Sequence, residues 1–98
     1  MMTRYVVLLN FTDQGIASVK ESISRADQFR KAAASAGATV ESLFWTLGPY
    51  DGLLVLSAPD EATAAAVVLQ LGKTNHVRSC MLRAFDAEEF KAVADKVT

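Results

Sequence analysis

Hydrophobic positions along the chain follow two alternating rhythms. Residues 4–10 (RYVVLLN) form a short apolar run rich in β-branched side chains, the mark of a strand. From about residue 14 to residue 36 the spacing changes to three and four. Ile16, Val19, Ile23, Ala26, Phe29 and Ala33 make one stripe, with Lys20, Glu21, Arg25, Gln28 and Lys31 largely off it. That period predicts a helix. Thr12 and Asp13 are its candidate N-caps, because their side-chain oxygens accept from the free amides of a first turn, and Gly37 suits its exit. Residues 39–47 (TVESLFWTL) read as a second strand and residues 53–57 as a third. Gly48-Pro49-Tyr50-Asp51-Gly52 between them is turn chemistry, so the two strands form a hairpin. Pro59, Asp60 and Glu61 open an alanine-rich helix that runs to about residue 71 and ends at Gly72. Residues 76–85 (HVRSCMLRAF) are the fourth strand. Asp86 and Glu89 make a D-x-x-E pattern, close to a capping box, for a short helix with Phe90, Val93, Ala94 and Val97 on its apolar side.

The order is βαββαβ plus a C-terminal helix. Right-handed crossovers make this an α+β, ferredoxin-like fold: a four-stranded antiparallel sheet in order 4-1-3-2 with both long helices on one face. A sheet covered on one side should alternate apolar and polar residues. These strands do not. Tyr5, Val7 and Leu9 oppose Val6 and Leu8; Leu53 and Val55 oppose Leu54 and Leu56. Leu43, Trp45 and Leu47 oppose Val40 and Phe44; Val77 and Met81 oppose Cys80 and Leu82. Both faces are substantially apolar, yet two helices cover only one. The short C-terminal helix can cover part of the other; the expected cover is a second copy of the chain, packed sheet on sheet, because soluble monomers seldom expose so broad an apolar face.

Composition narrows the classes. Ninety-eight residues, 51% of them apolar, make one domain over 1–98 with no evident linker or repeat. A net charge of −1 argues against general nucleic-acid affinity, which needs many Lys or Arg on phosphates. One cysteine excludes an intrachain disulfide, and Cys80 in mid-strand reads as a buried, inert thiol. One histidine and scattered acids leave no metal site within one chain; a metal site at a subunit interface would have to use His76 twice. No cofactor-binding loop is present: Gly15 and Gly48 belong to no G-x-G-x-x-G pattern. No apolar run approaches the ~20 residues that span a bilayer. The first run is too short for a signal-peptide core. A cytoplasmic protein that avoids membranes is the expectation.

The strand order also locates the candidate chemistry. The end of strand one lies beside the starts of strands three and four, where the first helix begins. Asn10, Thr12, Asp13, Tyr50, Asp51, His76 and Arg78 therefore gather at one end of the sheet. Asp51 is either a general base or ligand anchor, or a turn residue accepting backbone N–H groups. Tyr50 either donates to a ligand or packs across a dimer. His76 shuttles protons or sits solvated in a loop; with Asp51 it is the one plausible acid–base pair. Arg78 and Arg83 match an anion or form structural ion pairs. Trp45 lines a hydrophobic ligand cavity between subunits or packs in a core or interface. Catalytic candidates are thus Asp51, His76 and Tyr50; ligand-binding candidates are Asn10, Thr12, Trp45 and Arg78.

The segment Thr46-Leu47-Gly48-Pro49-Tyr50-Asp51-Gly52 resembles the signature of the GYD domain family, whose glycine, tyrosine and aspartate correspond here to Gly48, Tyr50 and Asp51. Residues 9–15 (LNFTDQG), 77–79 (VRS) and 82–85 (LRAF) add supporting matches, so the resemblance covers nearly the whole chain, to about Phe90. It implies a mostly bacterial family with a ferredoxin-like fold of the dimeric α+β barrel type and no settled biochemical function. Two expectations follow. One is a self-associating module that binds a small organic molecule. The alternative is a cofactor-independent enzyme of the oxygenase, isomerase or lyase type, using Asp51 and His76 for acid–base chemistry. Regulation through a further partner finds no basic patch or recognition motif.

Overall fold

A computed structural model describes residues 2–98. Four antiparallel strands, β1 (Thr3–Phe11), β2 (Thr39–Trp45), β3 (Gly52–Ala58) and β4 (Val77–Ala84), form one sheet in the order β2-β3-β1-β4. This is the 4-1-3-2 order that the sequence predicts. Helices α1 (Asp13–Ala17), α2 (Ser22–Ser35) and α3 (Glu61–Lys73) connect the strands, and α4 (Ala87–Ala94) follows the last.

Strand register sorts the side chains. Tyr5 faces Leu56, Val7 faces Leu54 and Leu9 faces Gly52, with Val40 and Leu43 of β2 alongside. Against this face pack Phe29 and Ala33 of α2 and Ala64, Val67 and Val68 of α3, making the core. Each apolar side chain fully buried there stabilises the fold by about 1.5–3 kcal/mol. The opposite face carries Val6, Leu8, Leu53, Val55, Leu82 and Phe44 in cross-strand register. Phe44 is 60% exposed and Leu82 45%.

Five local readings change. The long first helix is three pieces: α1, a 3-10 turn at Val19–Glu21, and α2. The break turns the front half of the stripe outward, so Ile16, Val19 and Ile23 are exposed, whereas Phe29 and Ala33 are buried. Gly72 does not end α3; it lies inside it, and the chain leaves the helix through Asn75 at φ 66°. A bulge at Glu41, between Val40 and Ser42, puts Val40 on the covered face with Leu43 and Trp45 instead of opposite them. Strand β2 ends at Trp45, which leaves Leu47 fully exposed in the hairpin tip. Cys80 is exposed, not buried, because it lies on the open face of an edge strand.

Helix α4 has the full reciprocal capping box: Asp86 accepts from the Glu89 amide at 2.8 Å, and Glu89 accepts from the Asp86 amide at 3.0 Å. Its apolar side does not cover the open face; Phe90, Val93 and Val97 are exposed. Ion pairs from Arg83 to Glu89 (3.6 Å) and from Arg4 to Asp86 (3.9 Å) tether it at the far end of the sheet. No described helix is long and apolar enough to cross a membrane.

Candidate functional site

The hairpin between β2 and β3 is fastened to the end of β1 from both sides. Gly48 takes φ 110°, a conformation that glycine enters without steric cost. Thr46 closes the loop, its amide donating to the Asp51 carbonyl at 2.9 Å and its hydroxyl to the Tyr50 carbonyl at 2.6 Å. Asn10 donates from Nδ2 to the Pro49 carbonyl at 2.9 Å. The Asp51 amide donates to the Leu9 carbonyl at 2.8 Å, and its carboxylate Oδ2 accepts from the Phe11 amide at 2.9 Å. Asp51 thereby continues the β1–β3 ladder with its own side chain.

On the other side of β1, Thr12 ties three segments together. Its amide donates to the His76 carbonyl at 3.1 Å and its hydroxyl to the Asn75 carbonyl at 2.7 Å, while Oγ1 accepts from the Gly15 amide at 3.0 Å as the N-cap of α1. Gly15 is pressed against β4: a Cβ there would stand 1.9 Å from the His76 carbonyl oxygen. The sheet end thus holds Asn10, Thr12, Asp51 and His76 by hydrogen bonds.

Beside this end a groove of about 590 Å³ opens between the covered face of the sheet, α2 and the end of α3. Leu9, Leu43, Trp45 and Leu54 form its floor, Phe29 one wall and Leu71 another. Asp51 and His76 both line it. Among the described residues they form no ion pair or hydrogen bond with each other. Arg25 also lines the groove, but its guanidinium is committed to the Ser18 carbonyl (3.0 Å), Ser18 Oγ (3.2 Å) and Glu21 (3.4 Å). Among the described residues, His76 Nδ1 is buried without a hydrogen-bond partner. Such an orphan costs about 1–3 kcal/mol.

The remaining sequence candidates fall elsewhere. Arg78 is exposed opposite Asn10, on the face away from the groove. Tyr50 sits in the loop, 39% exposed. No cluster of three or more His, Cys, Asp or Glu among the described residues could hold a metal. Sequence reasoning missed Phe29, Leu43 and Leu71 as groove walls, because an apolar residue in a periodic stripe reads as core. It also missed Gly15, whose signal was a glycine in the first turn of a helix.

The family model for the GYD domain matches residues 5–94. The chain belongs to the GYD domain family. A relative from Thermus thermophilus, the glutamine synthetase and cystathionine beta-lyase binding protein, is 28% identical over 92 residues, which is 93% of this chain and 97% of the relative. The crystal structure of MtbAldR superposes with a TM-score of 0.69 at 14% identity, over 88% of this chain. This GYD domain spans about half (55%) of that protein. At that identity the likeness is one of fold. In this GYD domain the residues resembling the family signature do backbone work: Gly48 turns the loop, the Tyr50 carbonyl takes the Thr46 hydroxyl, and Asp51 clamps the loop to β1.

Proposed function

We propose that this GYD domain is a self-associating binding module: two copies pack through the open faces of their sheets, and each keeps a groove for a small organic molecule on its covered face. The observation that carries the reading is the open face, with Val6, Leu8, Leu53, Val55, Phe44 and Leu82 in register across all four strands and, among the described residues, no helix packed over them. A second copy is the fitting occupant. A net charge of −1 sets up little repulsion between identical chains. The name of the Thermus relative, a binding protein for two enzymes, favours binding over catalysis. The same reading assigns the module to the cytoplasm, where an exposed, unpaired Cys80 stays reduced.

Acid–base catalysis by Asp51 and His76 is the second reading, supported by their sharing one groove. It is the weaker, since one Asp51 oxygen already accepts from the Phe11 amide. Light scattering at micromolar concentration tests the assembly: the expected mass is that of two 10.6 kDa chains, and a stable monomer sinks the proposal.

A further inference from the structure

The open face of the sheet is charged at its two ends and apolar between them. Two rows in cross-strand register, from Phe44 to Cys80 and from Ser42 to Leu82, fill the middle. Beyond the first row, Arg78 of β4 stands exposed opposite Asn10, and among the described residues it makes no ion pair. Beyond the second row lies Arg4, six residues back along β1 and so about 20 Å from Asn10. Its guanidinium is shared between two acids: Glu41 of β2 at 3.1 Å, and Asp86, just past the end of β4, at 3.9 Å. One cation between two acids leaves this end net negative. Asp86 has the longer contact of the two, and its side chain is 52% exposed. At the Arg78 end, the Asp51 carboxylate is held by the Phe11 amide.

A two-fold axis that stacks this face on its own copy lies in the plane between the two sheets. It has two limiting directions. An axis along the strands sets β4 on the partner's β2. Asp86 then comes to the partner's Glu41, acid on acid, and Arg78 comes to the uncharged hairpin. An axis across the strands sets β4 on the partner's β4, running the other way. Arg78 then comes to the partner's Asp86, Leu8 lies over the partner's Val6, and Leu53 over the partner's Val55. Stacked sheets lie about 10 Å apart, and a crossing of about 30° displaces the corners by roughly one strand spacing. An extended arginine side chain spans that gap.

We propose that two copies join with the two-fold axis across the strands, Arg78 of each pairing with Asp86 of the partner subunit at the two ends of the interface. This rests on the sheet-on-sheet reading and gives that contact its orientation and its ion pair.

Sedimentation of the full chain measures the dimer dissociation constant. Arg78→Gln should raise it about threefold to tenfold, because two symmetry-related pairs are lost together. Asp86→Asn keeps an oxygen for the Glu89 amide, so α4 stays capped, and should raise it about as much. The double variant should be no weaker than either single one. Single effects that multiply in the double variant, or no effect at all, overturn the pairing. Spin labels read the orientation separately, placed at Leu47→Cys in a Cys80→Ala chain, at a concentration where that chain sediments as a dimer. Leu47 is fully exposed in the hairpin tip. An axis across the strands holds the two tips about 30 Å apart, at opposite ends; an axis along the strands brings them within about 20 Å, at one end. The shorter distance overturns the proposal and leaves the dimer standing. A native chain that sediments as a monomer defeats the dimer itself.

Discussion

Asp51 and Gly15 do at the residue scale what no neighbour can do for them. Asp51→Ala strips the Phe11 amide of its acceptor and is expected to cost about 1–3 kcal/mol, whereas Asp51→Asn, which keeps an acceptor, should cost less than half as much. Urea denaturation of the two variants measures the difference. A pure general base would show equal stability in both. Gly15→Ala forces α1 and β4 apart, since the new methyl falls on the His76 carbonyl. Overpacking of that kind costs about 1–3 kcal/mol, read by the same denaturation curves. Both residues were legible only by type. The sequence marks Asp51 as an aspartate that accepts amide protons in a turn, but the amide it binds belongs to Phe11, on another strand. Gly15 shows locally only a glycine in the first turn of a helix; the atom that forbids a side chain there is at His76. Cys80 was misread for a related reason: its neighbours are apolar, and burial depends on what lies over the face, which the strand does not record.

Element boundaries follow the caps more closely than the hydrophobic period. Thr12, Asp60 and Asp86 each accept from an amide three residues on, and each begins a helix. Asp60 gives this a pH dependence. The Thr63 backbone amide, aided by the Thr63 side chain, holds the Asp60 carboxyl below its ordinary range. A depressed folded-state value means that the group stabilises the fold above its unfolded value, and that this share is lost as pH falls through the folded one. Acidification below about pH 4 should therefore lower the melting temperature of the native chain more than that of Asp60→Asn, whose cap does not titrate. Thermal scans across pH 2–6 would show parallel curves if the cap were idle. The failed readings share one cause. A three-four spacing persists across residues 14–36 although the backbone breaks at the 3-10 turn, since spacing says nothing of a reset in helix phase. The Glu41 bulge likewise shifts Val40 to the other face without any glycine or proline to announce it.

At the scale of the molecule, strand order and two-sided apolarity were both legible, because topology rules and period-2 patterning survive errors of a few residues at element ends. Whether α4 folds back over the open face was not legible: an amphipathic helix fits either place. The structure leaves it projecting, with Phe90 and Val97 exposed. If the pair of copies is the folding unit, the melting temperature should rise with protein concentration. Val55→Glu, at the centre of the open face, should yield a monomer by light scattering and abolish that dependence. A Val55→Glu chain that still sediments as the native protein does would place the contact elsewhere.

The bulge at Glu41 has a consequence for what the protein does not form. An ordinary edge strand offers a row of free amides and carbonyls on which sheets can add end to end without limit. Here β2 and β4 are the two margins of the sheet. The bulge with its exposed acid disrupts the first, and exposed Arg78 places a charge along the second. Lateral growth into fibres is opposed at both margins while the flat side stays sticky. In the proposed dimer, association through that side would close by two-fold symmetry after one step.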